Sequence, residues 1–176
     1  MHAATFDRLA GLFGYPCGAA TCTIQKCAAD PVDDASEAAE ALTDFAAAMA
    51  DLSFEQQQEL FVRTFDLNPL CSLEVGWQLY GDHYERGQFL AQMRGHLRQF
   101  SIAESLELPD HLSHVFELLG RMPEDQSAAM AKAVQPAVEK MHASLQETDN
   151  PYRHLLLATR AAIGCLAGNT HQEVHP

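Results

Sequence analysis

His111 and His114, three residues apart with Asp110 beside the first, are the nearest this chain comes to a reactive constellation. Two imidazoles at that spacing share a helix face and could hold a metal ion if a second helix added carboxylate or histidine ligands. One reading is therefore a small metal-dependent helical hydrolase using Asp110, His111 and His114. The plainer reading sets His111 in a polar helix start and turns His114 to water. Other constellations are missing: the chain has no glycine-rich phosphate loop, no GxSxG elbow, no HExxH and no GxGxxG. Cys17, Cys22 and Cys27 recur at five-residue intervals, followed by Cys71 and Cys165. This odd set lacks the spacing of a zinc or iron–sulfur site, and reduced thiols are the expectation, with a disulfide among the first three as the alternative. No cofactor is expected.

The densest unusual stretches are Phe61-Val-Arg-Thr-Phe-Asp-Leu-Asn-Pro69 and Tyr80-Gly-Asp-His-Tyr-Glu-Arg-Gly87. Arg86 follows Asp82 by four residues, so an ion pair within one helix is expected, worth a few tenths of a kcal/mol. Gly87 in a helical pattern costs about 1 kcal/mol unless another backbone must approach it. Asp66 at a helix end opposes the helix dipole.

The elements that must position these residues read as helices, with almost no strand alternation. Phe6, Leu9, Ala10, Leu12 and Phe13 mark the buried face of a first helix that Gly14-Tyr15-Pro16 stops. Residues 16–33 read as a loop. An Ala-rich helix runs from about Asp34 to Asp51 with Leu42, Phe45 and Met49 inward, and Ser53 with Gln56 forms a capping box for the next. That helix carries Leu60, Phe61 and Phe65, and Asn68-Pro69 ends it. After a short segment around Ser72–Tyr80, Gly81-Asp82 restarts the chain into a helix bearing Phe89, Leu90, Met93, Leu97 and Phe100. Leu108-Pro109-Asp110 opens another, with Asp110 at its positive dipole end and Leu112, Val115, Phe116 and Leu119 inward. Residues 124–147 form a helix that Pro136 kinks or splits. Pro151 begins the last, with Leu155, Leu156, Ile163 and Leu166, and Gly168-Asn169 ends it. The expected fold is all-α: one domain over 1–176, an irregular bundle of seven to eight helices with a frayed tail at 170–176.

The 176 residues carry a formal charge of −13 with histidine neutral. Such a surface disfavours nucleic acid and anionic lipid and favours basic partners. No apolar run is long enough to span a bilayer, and the N-terminus lacks the pattern of a secretory leader, so a cytoplasmic protein is expected.

Four segments resemble the NarJ/TorD/DmsD family of molybdoenzyme-maturation chaperones, and its NarJ-like branch in particular. They are Leu9-Ala-Gly-Leu-Phe-Gly-Tyr-Pro16, Phe61-Val-Arg-Thr-Phe-Asp-Leu67, Tyr80-Gly-Asp82 with Arg86-Gly87, and Glu107-Leu-Pro-Asp-His-Leu112, in the family's order. Phe61 stands where the wider family often has Tyr, and Pro109 is displaced by one residue from the wider family's pattern, as in the NarJ-like branch. The resemblance implies a chaperone without turnover that binds the N-terminal region, often a twin-arginine leader, of an apo molybdoenzyme catalytic subunit until its molybdenum cofactor is inserted. It implies that Phe65, Asp66, Asp82, Arg86, Asp110 and His111 line or support the peptide site, with His111 an exposed imidazole that titrates near neutrality. An apolar groove with acidic rims would suit such a ligand. A permanent helical subunit of a redox complex is the remaining alternative. A monomer is expected, with a helix-swapped dimer as the variant.

Overall fold

Periodic apolar residues become eight helices in the computed structural model, which describes residues 3–17 and 37–168. They are α1 (Ala3–Leu12), α2 (Glu37–Ala50), α3 (Phe54–Phe61), α4 (Val75–Tyr80), α5 (Tyr84–Gln99), α6 (Leu112–Arg121), α7 (Glu124–Leu145) and α8 (Tyr152–Gly168). No strand forms among the described residues, only an isolated antiparallel bridge between Glu74 and His111. The loop expected at 16–33 falls almost wholly outside the described residues, as do the expected start of α2 and the tail. No helix among the described residues is long and apolar enough to cross a membrane.

One continuous core joins the helices. α7 and α8 pair, α2 lies on α8, and α1 lies on α6. Phe6 and Phe13 of the first segment stack on Phe116 of α6 with ring centroids 6.2 and 5.8 Å away, and Phe45 of α2 meets Tyr152 of α8 at 5.4 Å. Such contacts each add roughly 0.5–1.5 kcal/mol beyond simple burial. Pro136 does not split α7, which runs unbroken through it.

The Ser53–Gln56 capping box forms as expected: Gln56 N–H donates to Ser53 Oγ at 3.3 Å, and Ser53 N–H donates to Gln56 Oε1 at 2.8 Å. Beyond Phe61 the chain does not end its helix at once. It widens into a single π turn, Val62–Asp66, closed by Leu67 N–H on Val62 O at 2.9 Å. The buried Thr64 hydroxyl holds this turn by donating to Leu60 O at 2.6 Å and accepting from Asn150 Nδ2 at 2.7 Å.

Three boundaries differ from the sequence reading. The Ser72–Tyr80 stretch contains α4, whose six residues are too few to display a period. α5 begins at Tyr84 rather than at Gly81-Asp82, because Gly81 (φ 59°, ψ −128°) turns the chain through a conformation that side chains disfavour. α6 begins at Leu112 with His111 as its cap, so Leu108, Pro109 and Asp110 precede the helix and Asp110 does not serve its dipole.

Candidate functional site

The backbones of residues 73–75 and 110–112 are zipped together: Val75 N–H donates to Asp110 O at 3.1 Å and Leu112 N–H donates to Leu73 O at 2.9 Å. This fastens the start of α4 to the start of α6, and the π turn packs beside them. Between these three pieces lies an open cleft of about 500 Å³. Its aromatic side comes from Phe61, Phe65 and Trp77, with Phe61 and Phe65 rings 5.0 Å apart. Its acidic side comes from Asp66, Glu74 and Glu107. Burying Asp66 partway, with the Glu74 charge nearby, raises its carboxyl above the usual range. Carboxylates crowded beside an aromatic wall attract a cationic or hydrogen-bond-donating group.

The structure distributes the six residues named by the resemblance. Phe65, Asp66 and His111 line the cleft. Asp110 and Arg86 stand behind its wall. Asp110 is fully buried, and its Oδ2 accepts from Gly76 N–H at 2.7 Å, in the first turn of α4. It therefore caps a helix 34 residues back in the chain, not the one it precedes. Its Oδ1 has no partner. Desolvation raises its carboxyl despite the Gly76 bond and the nearby Arg86 charge, which both act to lower it.

The expected Asp82–Arg86 pair does not form. Asp82 is exposed on the α4–α5 turn, away from the cleft walls, while Arg86 folds inward over Trp77, its Cζ 5.5 Å from the ring centroid. Cation–π contact and partial burial together outweigh an exposed pair worth tenths of a kcal/mol. Nothing approaches Gly87, where a side chain would meet nothing within 4 Å, whereas one on Gly76 would meet Asp110, Phe89 and Arg86.

His111 is not an exposed, near-neutral titrating group. It is 5 % exposed, and desolvation pushes its pKa down to about 4, against the opposing pull of Glu74. Ser113 N–H donates to its Nδ1 at 3.3 Å, so in the neutral ring the proton sits on Nε2. His114 does not face water either: it is 2 % exposed, with Nδ1 3.0 Å from Leu108 O and Nε2 3.1 Å from Ser105 Oγ. A carbonyl can only accept, so Nδ1–H donates to Leu108 and Nε2 accepts the Ser105 hydroxyl. With these nitrogens engaged and Asp110 turned to Gly76, the three do not converge on a point. No group of three or more His, Cys, Asp or Glu that could hold a metal occurs among the described residues. Asp110, His111 and His114 therefore form no shared metal site among the described residues.

Residue-level reading of the sequence passed over Glu74 and Trp77, and used Glu107 only as part of a motif. Trp77 is the single tryptophan of the chain, half-buried at the edge of a cleft, which is a usable signal. Glu74 carries none, since its place depends on the bridge to His111. Cys71 is buried, its Sγ 2.9 Å from Ser144 Oγ, and burial raises its thiol, which disfavours the nucleophilic thiolate. Cys22 and Cys27 fall outside the described residues.

The chain is 27 % identical over 96 residues to the nitrate reductase molybdenum cofactor assembly chaperones NarJ of Escherichia coli strain K12 and of Escherichia coli O157:H7. That match covers 54 % of this chain and 41 % of each relative, so it spans well under half of their length. A family model for the nitrate reductase delta subunit matches residues 31–158, which includes every wall of the cleft. The chain belongs to the nitrate reductase delta subunit family.

Proposed function

We propose that this protein is a molybdoenzyme-maturation chaperone. It holds the N-terminal segment of an apo catalytic subunit in the cleft between the π turn, α4 and α6 until the molybdenum cofactor is inserted, and it catalyses no reaction itself. The observation that carries this reading is the open cleft, with aromatic side chains as its floor and Asp66, Glu74 and Glu107 at its margin. A segment with apolar and basic side chains complements both parts, the rings taking its apolar groups and the carboxylates of Asp66, Glu74 and Glu107 its arginines. The family match, and the E. coli relatives' role as nitrate reductase molybdenum cofactor assembly chaperones, support this client class. On this reading the protein acts in the cytoplasm, before its client is assembled or exported.

Trp77 provides the test. Titrating the protein with a synthetic peptide of about the first forty residues of a nitrate reductase catalytic subunit changes Trp77 fluorescence. The affinity falls as salt rises. Glu74→Gln, which preserves shape and removes one charge, weakens binding several-fold. A peptide that leaves Trp77 unchanged and gives no calorimetric signal at low salt refutes the proposal. Stable stoichiometric retention of the protein in the mature, cofactor-loaded enzyme refutes the transient role and favours a permanent subunit.

A further inference from the structure

Seven large apolar side chains stand exposed among the described residues, and four of them adjoin the cleft in sequence: Leu67 follows Asp66, Leu70 follows Pro69, and Leu106 and Leu108 flank Glu107. Leu106 is the extreme case, as exposed as in an unfolded chain (106 %). Exposed leucines scattered singly carry no message, but four that each stand next in sequence to a residue lining one cleft point to a contact surface beside it.

The segment that presents Leu106 is held in place. α5 ends in a Schellman turn, with Ile102 N–H on Leu97 O at 2.8 Å, Ser101 N–H on Arg98 O at 3.2 Å, and Ser101 at φ 56°. The chain then passes over buried Ile102 and projects residues 103–108 as a tongue. His114 clamps it from below through Ser105 Oγ and Leu108 O, and Glu107 N–H donates to Ser105 Oγ at 3.1 Å. Arg94 Nε meets Glu104 at 2.9 Å at its root. A loop fixed at this many points presents Leu106 at little further ordering cost on binding.

Glu107 belongs to two cavities. On one side it lines the cleft, and on the other it lines a furrow of about 450 Å³ between the tongue and α1. The furrow runs along Ala10 and Gly11 of α1 and Gly14 just beyond it, residues with little or no side chain to fill it. Its other carboxylates, Asp7 and Glu117, each lie 3.6 Å from Arg121, whereas Glu107 makes no ion pair among the described residues.

Resting on the chaperone reading above, we infer that the bound client segment does not end in the cleft: it crosses the tongue against Leu106 and Leu108 and continues into the furrow along α1. The occupant is one continuous stretch of the client polypeptide, basic where it meets Glu107 and apolar where it meets the leucines. Charge complementarity at Glu107 and the continuity of the two cavities through that residue support this occupant over a second copy of the chain.

Leu106→Ser is a clean test, because a fully exposed side chain contributes nothing to the core. Its unfolding temperature stays at the wild-type value, and its affinity for the forty-residue peptide falls about tenfold or more, the loss expected when one leucine is no longer buried. A photo-crosslinking benzoylphenylalanine replacing Ala103, in the furrow, labels peptide residues that the same group at Leu70, on the cleft rim, does not. Unchanged affinity of Leu106→Ser, or labelling of the same peptide residues from both positions, overturns this inference while leaving the chaperone reading intact. Failure of the wild-type protein to bind the peptide removes both. Sedimentation showing a dimer that Leu106→Ser dissociates also overturns it, by assigning the leucines to self-association.

Discussion

Gly76→Ala isolates the contact on which the cleft wall rests. In an open helix the change from glycine to alanine stabilises by about 1 kcal/mol, because the unfolded chain loses freedom. At Gly76 the added Cβ would sit 2.7 Å from Asp110 Oδ2, 3.0 Å from Phe89 Cδ1 and 3.4 Å from Arg86 Cγ. The arginine stem can yield. The buried Phe89 ring has little room, and the carboxylate cannot retreat without lengthening its 2.7 Å bond from Gly76 N–H. Overpacking of this kind costs about 1–3 kcal/mol, and weakening a buried hydrogen bond to a charged group costs a similar amount. The net expectation is a destabilisation of about 2 kcal/mol, with a fall in Tm of about 4–8 °C for a domain of this size. Thermal and urea unfolding followed by circular dichroism measure it, and the emission of the neighbouring Trp77 reports displacement of the wall. Gly87→Ala is the control. It lies inside α5 with nothing within 4 Å, so it should stabilise by about 0.5–1 kcal/mol. Gly76→Ala at or above wild-type stability would refute the close approach of Asp110 and, with it, the positioning of α4.

His111 makes stability depend on acid. Its folded pKa of about 4 lies below the ordinary 6.5, so between these values the unfolded chain binds the extra proton and stability falls as pH falls. The interval is worth about 3 kcal/mol, and His111→Gln should flatten urea-derived stability across pH 6.5 to 4 by a corresponding amount. Asp110 works in the opposite sense: its raised carboxyl gives stability that is present at low pH and lost as pH rises through its folded value. A His111 imidazole that titrates near 6.5 by NMR would refute the buried, neutral assignment. Ser101→Gly should stabilise the protein by about 1 kcal/mol in denaturant unfolding, because Ser101 holds a left-handed conformation that glycine adopts without strain. A loss of stability there would mean that the Ser101 side chain has a role beyond its backbone geometry.

The features legible in the sequence share one property: each depends on residues within about one helical turn of one another. Ser53 and Gln56 cap α3 because both partners lie within four residues, and the spacing of Leu112, Val115, Phe116 and Leu119 fixes the inner face of α6. The motif Phe61–Leu67 pointed to a special segment, yet its π turn was not readable, since the hydrogen bond that anchors Thr64 comes from Asn150, 86 residues away. Asp110 and His111 lie differently from their sequence reading. A Pro-Asp-His run looks like an exposed helix start, yet beside the backbone bridge to Glu74 both side chains are buried.

By itself the sequence determined that this chain is helical, where most of its helices lie, which faces they bury, and that its surface is acidic, because propensity, periodicity and formal charge are local or additive properties. Tertiary structure alone decided which acids and aromatics share a cleft, which helix Asp110 caps, where Arg86 turns, and that Leu106 stands exposed beside Glu107, which lines two cavities. These are matters of distance between residues far apart in the chain, and of how much water packing leaves around each group. No pattern along one strand of sequence encodes either quantity directly.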